Sequence, residues 1–160
     1  DLAALPYTRM VIDEALRLYP PAWAFSRQAV ADVELGGFRL ARGWLAFVIP
    51  YVLHRLPAHW EDPDRFDPDR FSPERSADRP KFVYLPFGAG PRQCIGNHFA
   101  LIEAQLIVAT LAQRFRPRLA PGQRVEAHPL ITLRPRFGIA MTIERRTPSP
   151  AAAHAGQIAP

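Results

Sequence analysis

The residues best placed to do chemistry lie in residues 87–96, FGAGPRQCIG, which hold the single cysteine of this 160-residue chain, Cys94. Gly88, Gly90 and Gly96, with Pro91 between them, make a loop whose backbone can turn tightly and come close to a flat ligand. Cys94 stands just ahead of a long apolar stretch that reads as a helix. It therefore sits near free N–H groups and the positive end of a helix dipole, and Arg92 adds a fixed charge. Such surroundings favour thiolate, the form of cysteine that binds metals and attacks electrophiles. A solitary cysteine taken alone is a small buried hydrophobe, and it is the decapeptide around it that argues otherwise. One cysteine forbids an internal disulfide, and no Cys-x-x-Cys pair or His/Cys ladder at zinc spacing is present. A cysteine-nucleophile hydrolase would need His and Asn or Asp brought to Cys94, and no local signature supports one.

Phe87, Gly90, Arg92, Cys94 and Gly96 match the pattern F-x-x-G-x-R-x-C-x-G. On this loop the chain resembles the cytochrome P-450 family of haem-thiolate monooxygenases. The resemblance implies that Cys94 is the axial ligand of the iron of haem b, that Arg92 and Arg27 hold its propionates, and that Phe87, Gly88 and Gly96 shape the seat. Two further motifs follow the family's order. Glu14-Ala15-Leu16-Arg17 is similar to its E-x-x-R, and FDPDRF at residues 66–71 is similar to its Pro-rich meander. Glu14, Arg17 and Arg70 would then form a buried structural lock, for which the planar guanidinium fork is suited. By the same resemblance Ala22 and Ala24 line the substrate pocket from one side, and Ile131 and Thr132 from the other. Trp23 and Phe25 are either pocket contacts or core, and Ile131 suits core equally well.

The implied reaction inserts one atom of O2 into a small, mostly apolar organic substrate. The electrons would come from NAD(P)H through a ferredoxin, a flavodoxin-type partner or a reductase. A haem-thiolate protein that uses peroxide or isomerises its substrate is the alternative within the family. Neither the A-G-x-x-T stretch that bends the helix over the haem nor W-x-x-x-R occurs here. The chain is accordingly read as the C-terminal third of the family's fold, α+β and mainly α. Residues 1–146 form an incomplete domain and residues 147–160 a flexible tail, and the piece is expected to be inactive alone.

The elements that must position these residues follow from periodicity. Apolar positions across residues 5–19 recur at helical spacing, with Pro6 in the first turn and Pro20-Pro21 as the stop. Short apolar runs at Val33–Leu35, Phe38–Leu40 and residues 45–52 predict strands with a hairpin at Gly36-Gly37. Residues 56–85 are dominated by proline and aspartate and predict a long ordered loop. Ile95, Phe99, Ile102, Leu106 and Ala109 mark a helix over residues 96–114, ended by Pro117, with that face expected beneath the haem. Residues 131–133 and 138–143 predict two strands paired across Arg134-Pro135-Arg136. His54, His59, His98 and His128 have no metal-site spacing and read as structural or exposed.

Composition bounds the alternatives. With 48% hydrophobic and 22% charged residues, the chain has the make-up of one globular domain. A net charge of +5 raises the alternative of a basic nucleic-acid-binding module. The arginines, however, are scattered from Arg9 to Arg146 and mixed with acids, and no nucleic-acid motif occurs. The positive charge instead suits an acidic redox partner, steered by residues such as Arg92 and Arg114. No apolar run reaches the roughly 18 residues that span a bilayer, and no signal peptide opens the chain. A cytoplasmic setting is expected, with an anchor upstream of Asp1 outside what this sequence could show.

Overall fold

A computed structural model describes residues 2–147, so the predicted tail, beyond Thr147, lies outside the described residues. The first long element, α1, covers Pro6–Leu18. Proline at its start costs no hydrogen bond, because the first N–H groups of a helix have no partner within it. Pro20 and Pro21 prevent continuation. The face that α1 buries is unusual, comprising Ile12 and Leu18 but also Asp13, Glu14 and Arg17.

Glu14 and Arg17 are the reason. Both are 0% exposed. Arg17 Nε donates to Glu14 Oε2 at 2.6 Å and Nη2 to Oε1 at 2.8 Å, a two-pronged pair three residues apart on one helix. The remaining donors of Arg17 reach the carbonyls of His54 (2.8 Å), Pro63 (2.7 Å) and Arg65 (3.1 Å). Glu14 Oε1 also accepts from the backbone N–H of Asp67 at 2.8 Å and lies 3.4 Å from Arg70 Nε. Arg70 in turn donates to the carbonyl of Asp62 at 2.8 Å. The three residues expected to form a lock are together and buried, and they tie α1 to the proline-rich segment.

Within that segment the chain is fixed by short capped turns. A 3₁₀ turn at Pro68–Phe71 is capped by the Asp67 side chain, and a single helical turn at Pro73–Ser76 by Ser72 Oγ. Trp60, Phe71, Tyr84 and His54 pack edge-on or tilted against one another beside the lock.

Among the described residues the strands form four separate antiparallel pairs. β1 (Phe25–Gln28) pairs with β4 (Leu45–Val48), enclosing the expected hairpin β2–β3 of Val33–Leu35 and Phe38–Leu40. The run 45–52 is a strand only to Val48, because Pro50 opens a helical turn, α2, at Pro50–Leu53. Past the one-turn helix α3 (Pro73–Ser76), α4 spans Asn97–Arg114 and packs on α1. Pro117 does not stop it; the helix ends at Arg114 and Pro117 lies inside β5 (Phe115–Leu119), opposite Ile143 of β8 (Met141–Arg145). A two-stranded ribbon tolerates a proline whose missing donor would face outward.

The C-terminal hairpin is corrected in the same way. Residues 131–133 and 138–143 are not partners. β7 (Leu133–Pro135) pairs with β6 (Ala127–Pro129), while β8 pairs with β5 across the chain. Alternating apolar residues announce a strand, but nothing local in them names the partner. The result is α+β, with α1 and α4 its two long helices. Among the described residues no helix is long and apolar enough to cross a membrane.

Replacing Arg17 by Ala is expected to cost about 3–5 kcal/mol, because buried Glu14 loses its two-pronged partner and keeps only the Asp67 N–H and the more distant Arg70. Arg17→Lys should restore little, since one ammonium cannot serve five acceptors in the guanidinium's directions. Arg39→Ala, which removes only an exposed pair with Asp32, should change stability by less than ~1 kcal/mol. Urea unfolding midpoints compare the three, and similar shifts for Arg17→Ala and Arg39→Ala would remove the lock's special status.

Candidate functional site

Cys94 is exposed and stands at the edge of a cavity of about 420 Å³ between α1, α4 and the glycine loop. The loop is set by its own backbone. Gly88 and Gly90 adopt φ of +69° and +70°, which side-chain-bearing residues rarely hold. The N–H of Cys94 donates to the carbonyl of Phe87 at 3.0 Å, closing the loop just before α4 begins. A Cβ added at Gly90 would meet nothing within 4 Å, so conformation rather than crowding within the chain calls for glycine there.

The cavity brings together Cys94, Arg92, Phe87 and Gly88 from the loop with Ala22 and Arg27 from the segment after α1. Phe25 also lines it, which places this ring at the pocket. Trp23 does not line it; its Nε1 donates to the carbonyl of Leu130 at 2.7 Å. Arg27 lies over the Phe25 ring at 5.3 Å and donates to the Ser26 carbonyl at 2.8 Å. Neither Arg27 nor Arg92 has a carboxylate partner among the described residues.

Other expected residues stand apart. Gly96 caps α4 beside Cys94, and a Cβ there would lie 3.9 Å from Sγ, in ordinary contact. Ala24, Ile131 and Thr132 do not line the cavity, and Ile131 is 97% exposed. The hairpin that carries the last two is nonetheless moored to the pocket segment, because the N–H of Leu133 donates to the carbonyl of Pro21 at 2.9 Å.

The helical walls differ from expectation. Phe99, Ile102 and Leu106 of α4 are exposed, and the face turned to the cavity is Ala100, Leu101 and Ala104. α1 contributes Ile12 and Leu16. The signal for the α4 face was the pair of alanines four residues apart, small enough to leave room, and it was masked by larger apolar residues on the neighbouring stripe.

His54 is the participant that sequence reading undervalued. It is 0% exposed, and Leu85 N–H donates to its Nε2 at 2.8 Å. Nε2 is thus the acceptor, which leaves Nδ1 to carry the proton toward the Arg17 carbonyl, 3.2 Å away. One imidazole therefore connects the Glu14–Arg17 pair to the start of the cysteine loop. Burial, aided by the nearby Arg17 and Arg55 charges, lowers its pKa to about 4. Tyr84 fixes the same region from the other side, donating to Asp13 Oδ1 and to the Asp13 carbonyl, each at 3.0 Å.

An apolar cavity walled by two helices, one exposed thiol at its edge and two guanidiniums without carboxylate partners suit a flat, largely apolar, acid-bearing cofactor. Among the described residues no group of three or more His, Cys, Asp or Glu could hold a metal ion. A lone cysteine suits a metal already held in a macrocycle.

Comparison with known proteins bears on the same point. The family model described as Cytochrome P-450 matches residues 1–143. The chain belongs to the cytochrome P-450 family. It is 47% identical over 133 residues to the cyclooctatin synthase of Streptomyces melanosporofaciens, covering 83% of this chain and 29% of that protein. It is 45% identical over 122 residues to the cyclooctat-9-en-7-ol 5-monooxygenase of the same organism, covering 76% and 27%. Among solved structures, retinoic-acid-bound cyanobacterial CYP120A1 superposes with a TM-score of 0.85 at 36% identity, covering 91% of this chain and 34% of that one. The chain thus spans about a third of the length of these cytochrome P-450 relatives.

The His54 ring gives a pH prediction. Its folded pKa of about 4 lies below the ordinary value of 6.5, so the unfolded chain takes up the proton first. The contribution is complete above pH 6.5 and is lost as pH falls toward 4, by up to about 3 kcal/mol. Urea unfolding between pH 7 and 4 should show this slope in the native chain and lose it in His54→Gln. His54→Gln can present an acceptor near the Nε2 position to Leu85, and should disturb the cysteine loop less than His54→Asn, which cannot reach it.

Proposed function

We propose that this chain supplies the cysteine face of a haem-thiolate monooxygenase. What carries the reading is a single grouping: Cys94 with Arg27 and Arg92 around one apolar cavity. Bound there, haem b would supply reductive activation of O2 and oxygenation of a C–H bond, for which a thiolate ligand is suited. The chain's own contribution is more limited. Cys94 offers its sulfur as axial ligand, Phe87 and Gly88 shape the loop beneath, and Arg27 and Arg92 offer guanidinium forks to the two propionates. Ile12, Leu16, Leu101 and the alanines of α4 exclude water from the face.

The whole reaction belongs, in this proposal, to a longer polypeptide that closes the cavity from the other side. The exposed apolar surface of α4 and the third-length coverage of relatives support that. The substrate is proposed to be small and mostly apolar, meeting Ala22 first, with Ala24, Ile131 and Thr132 reaching it in the closed enzyme. Electrons from NAD(P)H would arrive through a ferredoxin, a flavodoxin-type partner or a reductase, drawn by exposed arginines such as Arg92 and Arg114. The similarity to a cyclooctat-9-en-7-ol 5-monooxygenase favours oxygenation over a peroxide-using or isomerising reaction.

The reduced-plus-CO difference spectrum tests the assignment. Within the polypeptide that carries this chain a thiolate-type Soret band is expected, and Cys94→Ser should abolish it; persistence of the band would mean another ligand. Arg92→Gln should weaken haem retention by about tenfold, as loss of a charge-assisted hydrogen bond implies, while leaving the band's position unchanged. The 160-residue chain alone is expected to retain haem poorly and to oxidise nothing, which full occupancy in the same spectrum would contradict.

A further inference from the structure

The peptide groups of Leu85 are engaged on both sides. Its N–H donates to Nε2 of buried His54 at 2.8 Å, and its carbonyl accepts the N–H of Gly88 at 3.1 Å. Among the described residues, the bond to His54 is the one hydrogen bond between residues 85–94 and the rest of the chain. The others, Gly88 N–H to Leu85, Gln93 N–H to Gly90 and Cys94 N–H to Phe87, close within the loop. The loop thus holds its own shape, while its attachment by hydrogen bonds rests on one imidazole.

That attachment differs from the rest of the buried network in its acceptor. A backbone carbonyl accepts at any pH near neutrality, whereas a ring nitrogen accepts only while unprotonated. Nδ1 faces the Arg17 carbonyl at 3.2 Å and already carries a proton. A second proton therefore goes to Nε2, where it removes the Leu85 bond and leaves the Arg17 bond in place. Two N–H groups would then face each other in a site that is 0% exposed, away from the water that could replace the lost acceptor.

The charged and titratable groups facing the ring are Arg17 of α1 with Glu14 behind it, Arg55 with its partner Asp64, and Tyr84, whose hydroxyl donates to Asp13. Arg79 lies beyond the Trp60 ring. Burial first, then the Arg17 and Arg55 charges, keep the imidazole neutral until pH nears 4.

We propose that His54 is a positioning residue for the axial cysteine: by accepting from Leu85 it fixes where the loop presents Cys94, and acid, by protonating Nε2, releases the loop and its thiolate from the iron. This rests on the reading of Cys94 as the haem ligand. The iron–sulfur bond breaks with both electrons staying on sulfur, which takes a proton from water to become the thiol.

The test uses the haem-loaded polypeptide that carries this chain. Reduced-plus-CO spectra from pH 7 to 4 are recorded beside hydrogen exchange at single amides, read by fragmentation mass spectrometry. The thiolate-type band is expected to fall as pH approaches 4, in step with the protection of the Leu85 N–H. The Asp67 N–H, which Glu14 holds, should stay protected to lower pH. His54→Gln, whose amide oxygen accepts at every pH, should keep the band at pH 7 and move the midpoint of its loss to lower pH. Should that variant fail to load haem, the order of exchange in the native protein decides. An unchanged midpoint in His54→Gln, or loss of Asp67 and Leu85 protection at the same pH, would show that acid acts through the carboxylates and would overturn the proposal. A native protein without a thiolate-type band at pH 7 would instead overturn the haem-ligand reading, and the proposal with it.

Discussion

A fully buried carboxylate, Glu14, sets the conditions for everything around it. A charge taken out of water survives only when paired and hydrogen-bonded on every side. Arg17, the backbone N–H of Asp67 and Arg70 together meet that demand. Because Arg17 then spends its other donors on the carbonyls of His54, Pro63 and Arg65, a segment with hardly any regular structure acquires a fixed course. The proline-rich stretch is ordered mainly because α1 holds its backbone from beneath.

From this anchor the order passes to the cysteine loop through one imidazole. His54 accepts from Leu85, and two residues later Phe87 supplies the carbonyl that receives the Cys94 N–H. The loop itself needs little beyond its glycines, since the left-handed backbone at Gly88 and Gly90 and the hydrogen bonds from Gly88 N–H to Leu85, Gln93 N–H to Gly90 and Cys94 N–H to Phe87 define it. Its position relative to α1 and α4, and hence the existence of a cavity beside the thiol, depends on the buried polar network. The apolar core is correspondingly small: among the described residues, Ile12, Leu18, Trp60 and Val83 are its buried hydrophobic residues.

Much of this was legible in the residues. The glycine loop, the E-x-x-R pair and the arginine of FDPDRF are local patterns, and the structure brings Glu14, Arg17 and Arg70 together in its interior. The extents of α1 and of the β2–β3 hairpin were likewise readable, because helix stops and tight turns are decided by neighbouring residues. What failed was non-local. Pro117 read as a helix stop and is the middle of a strand, since its partner Ile143 lies far along the chain. Residues 131–143 read as one hairpin and divide between two ribbons. On α4 the larger side chains suggested the wrong inward face.

By itself the sequence determined the chemistry on offer: a single thiol on a glycine loop, arginines able to meet acids, and a helix pair to carry them. Those follow from residue type and short spacing, which the chain cannot alter by folding. Only the tertiary structure decided which face of α4 borders the cavity, which strands pair, that Arg27 and Arg92 reach the same space as Cys94, and that His54 is a buried link with a fixed tautomer. Each of these depends on contacts between residues distant in sequence, where packing and the satisfaction of buried polar groups choose among arrangements that local propensity leaves equal.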